Sequence, residues 1–152
     1  MTSFTLTVLG ALLTLGAPEL HLAPFDSPMA PGENSDIHRI ALSAAANEQE
    51  AFYVRLVNDE APRTLEAVSV DWNTRLEVIT SIYRVEPNTE NYAAGREALW
   101  PVLDPIPLAP GALVDLLVSV KVNASTSPGA YSGNVELKFD SGKPARAPVT
   151  LE

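Results

Sequence analysis

The chain has 152 residues, a length that suits one domain, and 46% of them are hydrophobic, which is too many for a disordered chain. A domain of this size buries about 70% of the surface its unfolded chain exposes, so it can hold a core without disulfides or metal. The net charge of −9 excludes nucleic acid and an anionic membrane surface as partners, zero cysteines exclude disulfides, thiolate metal sites and cysteine nucleophiles, and two histidines leave no His-rich metal site.

Residues 4–17 form an apolar run too short to span a bilayer as a helix. It has signal-peptide length, with Thr14-Leu15-Gly16 as a cleavage site, yet no Lys or Arg precedes it. The alternation of Leu6 and Val8 with Thr5 and Thr7 equally fits a first strand. Residues 1–18 therefore read as a signal remnant or a first strand, and 19–152 as a single domain. A signal would send the protein to the periplasm or outside the cell.

The thirteen prolines fall in clusters between apolar runs, a pattern that breaks helices and suits a loop-rich β protein. Ile37 to Leu42 predicts a short strand. Asn47-Glu48 predicts a turn, which leads into a strand over 49–57 with Phe52, Val54 and Leu56 on one face and Tyr53, Arg55 and Val57 on the other. Residues 58–64 predict a loop at Pro62, and 65–72 a strand with Val68, Val70 and Trp72 on one face. Residues 75–86 predict a bulged strand or two short ones. The stretch 87–111 predicts one long, proline-rich loop, of the kind that contacts something.

The strongest alternation follows, at Leu116, Val118, Val120 and Val122. Ser127-Pro128-Gly129 predicts a turn. The next strand sets Tyr131, Gly133, Val135, Leu137 and Phe139 against a polar face. A turn over 140–143 and a last strand over 145–151 complete about seven or eight strands. Half-buried strands of this kind predict an all-β fold, a two-sheet antiparallel β-sandwich of the immunoglobulin or jelly-roll type.

Chemistry-bearing motifs are scarce. There is no phosphate-binding glycine loop and no Gly-x-Ser-x-Gly elbow. His21 and His38 read as solvated surface residues. Glu48 and Glu50 would lie about 7 Å apart on one strand face, within reach of a glycosidase pair. Their simpler reading is a turn carboxylate that accepts backbone N–H groups and a solvated strand residue. No catalytic residue, metal site or cofactor is expected. Tyr83, Tyr92 and Trp100 are the candidates for stacking on a carbohydrate or packing on a neighbouring domain. Trp72 reads as core. Asn123-Ala124-Ser125 matches a glycosylation acceptor, meaningful only in a eukaryotic secretory protein.

Several segments read together as one ordered pattern. Asn47-Glu48-x-Glu50-Ala51-Phe52 follows a short strand, then come Ile82-Tyr83-Arg84-Val85-Glu86, Leu99-Trp100-Pro101-x-Leu103-x-Pro105, and Pro128-Gly129-Ala130-Tyr131-Ser132-Gly133. This order resembles the N-terminal β-sandwich of glycoside hydrolase family 123, the β-N-acetylgalactosaminidases, and related domains of unknown function attached to similar barrels. The loop departs from the family in having Val102 directly after Pro101, where an acidic residue is usual. In that family the catalytic carboxylates sit on the barrel. The resemblance therefore implies a secreted, non-catalytic accessory module whose partner is the catalytic barrel. Two alternatives stand beside it: a carbohydrate-binding module, and an interaction domain that binds a protein by strand addition at an uncovered edge free of proline and charge.

Overall fold

A computed structural model describes residues 18–30, 33–58, 61–73, 77–87 and 97–152. Ten strands run through these residues: β1 Glu19–Pro24, β2 Ile40–Leu42, β3 Gln49–Val57, β4 Arg63–Trp72, β5 Val78–Pro87, β6 Glu97–Pro101, β7 Ile106–Leu108, β8 Leu113–Val122, β9 Tyr131–Phe139 and β10 Ala145–Leu151. The described residues contain no helix. The strands form two open five-stranded sheets, β1-β3-β8-β5-β6 and β2-β10-β9-β4-β7. The all-β, two-sheet expectation is met in this sandwich-like form.

The count is ten strands rather than seven or eight, and the difference lies in short edge strands. Residues 87–111 are not one loop. They contain β6, paired with β5, and β7, paired with β4. Both hold proline, which lowers their strand signal but is tolerated at an edge. Residues 78–87 form one unbroken strand, and the bulge falls in β4, between Leu65 and Ala67. The pairing is antiparallel except for β2, which runs parallel to β10.

The core lies between the sheets. Phe52, Val54 and Leu56 of β3 and Leu116, Val118 and Val120 of β8 are fully buried from one side. Leu65, Val135, Leu137 and Val149 meet them from the other, and each such side chain contributes about 1.5–3 kcal/mol when withdrawn from water. The core-facing residues read in β3, β8 and β9 are buried as expected, but the outer face is buried too at Arg55, Leu117, Ser119 and Glu136.

The backbone at Ala30 and Glu33 is held by a buried cation. Arg55 is 2% exposed, on the face of β3 turned away from the core. Its Nε and Nη2 donate to both carboxylate oxygens of Asp115, the paired residue on β8, at 2.7 and 2.8 Å. Its Nη1 donates to the carbonyls of Ala30 and Glu33. The hydrogen bond to Asp115 raises the guanidinium pKa, and burial offsets part of this. Nearby, His21 Nδ1 donates to the Ser35 carbonyl at 2.9 Å, and Phe25 stacks on Tyr53.

Candidate functional site

The pair Asn47-Glu48 makes the turn into β3. Asn47 adopts φ 67°, a left-handed conformation that asparagine tolerates better than most residues. The Glu48 carboxylate accepts the Ala45 N–H at 2.8 Å, and its carbonyl accepts the Val122 N–H at 2.9 Å. Glu48 is thus committed to the turn. Glu50 lies further on, half-buried on β3, and lines a groove with Asp26.

The second motif is a close approach of two strands. Gly133 on β9 sits opposite Trp72 on β4. A Cβ at Gly133 would lie 2.5 Å from the Asp71 carbonyl oxygen and 3.0 Å from the Trp72 ring. The glycine is therefore sterically required. Tyr131 packs beside the core and donates its hydroxyl to the Ser127 carbonyl, bracing the turn at Pro128-Gly129. Gly129 itself has a negative φ and room for a Cβ, so that turn does not depend on glycine.

The aromatic candidates separate. Tyr92 lies outside the described residues. Tyr83 pairs with Pro101 and Arg84 with Trp100. Side chains alternate along a strand, so Tyr83 and Trp100 project from opposite faces and cannot form one platform. Tyr83 is half-buried beside Leu117 on the outer face. Trp100 is 59% exposed, with Leu99 at 45% and Leu103 at 85%. Leu99 and Trp100, consecutive on β6, project from opposite faces of that edge strand, and Leu103 follows it in the chain. Arg84, directly opposite Trp100, and Glu86, two residues along, share the indole's face and lie 3.5 Å apart.

At the sequon, Ser125 donates to the Glu77 carboxylate and Thr126 to the Glu77 carbonyl. Among the described residues no cluster of three or more His, Asp or Glu is placed to hold a metal. The Arg55–Asp115 pair escaped the sequence reading. Each strand carries a second charge, Glu50 in β3 and Lys121 in β8, and only the register of the two strands singles out this pair. The groove beside Glu50 left no such signal, because Pro24–Asp26, Ile40–Leu42 and Glu50-Ala51 meet only in the fold.

No protein-family model matches the chain, and no curated protein is similar to it in sequence. Solved structures do share its fold. A family 123 glycoside hydrolase from Clostridium perfringens, analysed for glycolipid glycan hydrolysis, superposes with a TM-score of 0.58 at 11% identity, covering 89% of this chain and 27% of that one. The sporulation control protein Spo0M from Bacillus subtilis superposes with a TM-score of 0.50 at 9% identity, covering 91% of this chain and 50% of that one. The chain thus spans about a quarter and half of these neighbours. At such identities the likeness is one of fold.

Proposed function

We propose that this chain is a non-catalytic accessory β-sandwich of a secreted glycoside-hydrolase-like protein, where it packs against and supports a catalytic barrel. The observation that carries this reading is the one-sided overlap with the family 123 enzyme: 89% of this chain superposes on 27% of the hydrolase. The ordered motifs at Asn47, Tyr83, Leu99-Trp100-Pro101 and Pro128–Gly133 support it independently of the superposition. Exposed apolar side chains at and just after an edge strand, Leu99, Trp100 and Leu103, are the kind of surface that a neighbouring domain covers. The apolar run at 4–17 supports export to the periplasm or beyond.

The test is the gene. The reading expects a catalytic domain of several hundred residues encoded in the same frame as this one. In that protein, Trp100→Ser with Leu103→Ser should split one melting transition into two. A reading frame that encodes the sandwich alone would overturn the proposal, as would an unchanged single transition in the double variant.

One observation favours a second reading. The exposed Trp100 indole beside the Arg84–Glu86 pair joins a stacking surface to polar groups that can reach sugar hydroxyls. If Trp100 binds carbohydrate, titration calorimetry against a panel of neutral oligosaccharides that includes N-acetylgalactosaminides should give heats that Trp100→Ala abolishes. Absence of binding across such a panel would remove this reading.

A further inference from the structure

Each sheet of an open sandwich ends in two edge strands, and among the described residues three of the four are guarded. The β1 edge carries Glu19 and Pro24, β6 carries Pro101, and β7 carries Pro107. Charge and proline at an edge discourage the addition of another strand. The remaining edge, β2, reads Ile40-Ala41-Leu42; neither proline nor charge falls within it, and Arg39 directly precedes it.

The hydrogen bonds of β2 show which way its backbone faces. Leu42 C=O accepts from Glu152 N–H, and Ala44 N–H donates to the Glu152 carbonyl. Even-numbered residues therefore face β10. The N–H and C=O groups of Arg39, Ala41 and Ser43 face the opposite way, since backbone direction alternates along a strand. On that side the preceding turn of chain meets β1 once, where Leu22 N–H donates to the Ile37 carbonyl. The next position on β1 with the same orientation is Pro24, which has no N–H to give. The ladder stops, β1 ends, and the two chains part.

The gap is a groove of about 330 Å³ lined by Pro24, Phe25, Asp26, Ile40–Leu42, Glu50 and Ala51. Its walls combine apolar side chains with polar atoms in nearly equal measure, and its two ionisable side chains are both carboxylates. A second copy of this chain, at net charge −9, is a poor match for an acidic groove.

We infer that this groove binds an extended peptide segment of a partner protein, added as a strand to the free edge of β2, with a Lys or Arg of that segment placed between Asp26 and Glu50. Main-chain hydrogen bonds to Ala41 hold the segment. Its apolar side chains lie on Pro24, Phe25 and Ala51, and the carboxylates select the basic residue. This inference does not rest on the accessory-module reading and can fail or hold without it.

The test uses the isotopically labelled chain and two synthetic peptides, acetyl-Val-Lys-Val-Lys-Val-amide and its glutamate counterpart. The lysine peptide should shift the amide resonances of 39–43 and 25–26 saturably, and slow exchange of the Ala41 amide about tenfold at saturation. Asp26→Asn with Glu50→Gln should raise its Kd about tenfold, equivalent to about 1.4 kcal/mol. Ala41→Pro, which deletes the central donor, should abolish the shifts, with the resonances of β3 and β8 confirming an intact fold. Equal binding of the glutamate peptide, shifts confined to β6 or β7, or no shift at millimolar peptide would overturn the inference.

Discussion

Gly133 shows how one missing side chain sets the spacing of two strands. The Trp72 ring lies over it, and the Asp71 carbonyl occupies the space of its absent Cβ. The obstructing atom at 2.5 Å is backbone and cannot rotate away. Gly133→Ala should therefore destabilise the domain by about 1–3 kcal/mol, read as a lower urea midpoint at unchanged m-value. Gly129→Ala, with its nearest neighbour at 3.9 Å, should be close to neutral. Equal effects at the two positions would contradict this account. Arg55 is the opposite case, a residue whose charge does the holding. Arg55→Ala would leave Asp115 unpaired and release the carbonyls of Ala30 and Glu33. Asp115 is 26% exposed, so water softens the loss, which should be about 3 kcal/mol, the low end for a broken buried pair. Proteolysis within 25–39 should accelerate in that variant. The two residues also differ in legibility. Gly133 could be read from its motif and its place in an alternating strand. Arg55 could not, because only pairing in register brings Asp115 opposite it.

At the scale of elements, the β9–β10 hairpin is tied to β4 by a carboxylate. Asp140 accepts the Thr64 N–H at 3.0 Å, and its own N–H donates to the Thr64 carbonyl. The Thr64 hydrogen bond holds the Asp140 carboxyl below its usual range. Glu136 on β9 is also lowered: burial pushes it up, but its hydrogen bonds to Arg146 and Lys138 outweigh that. A carboxylate with a depressed pKa in the folded state contributes stability above its unfolded pKa, about 4 for both residue types. That contribution disappears as pH falls through the folded values. Urea midpoints should hold steady from pH 7 to about 5 and fall steeply below 4. Asp140→Asn should lower the midpoint at pH 7 and converge on the wild type near pH 2, and a constant difference at both pH values would refute the assignment. The long central strands could be read in the sequence because their core-facing apolar residues recur at every second position. The edge strands could not. β6 and β7 are five and three residues long and contain proline, so pairing rather than periodicity makes them strands. The groove beside β2 depends on where β1 stops relative to β2, and that relation exists only in the folded chain.

The whole molecule is built from distant pairings. Sheet neighbours such as β1 with β3, β3 with β8, β5 with β8 and β4 with β9 skip over intervening strands, and only β5–β6 and β9–β10 join consecutive ones. Loops must therefore close before most ladders can form, and their entropy is spent before the contacts return it. Domains with such topology fold in milliseconds to seconds rather than microseconds. The two tryptophans can test this separately. Trp72 packs against the core, whereas Trp100 is 59% exposed. Refolding from urea, followed by stopped-flow fluorescence, should show its main amplitude in the millisecond-to-second range. Trp100→Phe should preserve most of that amplitude and Trp72→Phe should remove it. Because both sheets face one core, urea unfolding followed by fluorescence and by far-ultraviolet circular dichroism should give superimposable transitions. Separate transitions would mean that the sheets fold as independent units. Separate sheets would be hard to reconcile with one shared core, in which Phe52, Val54 and Leu116 of one sheet are buried together with Leu65, Val135, Leu137 and Val149 of the other.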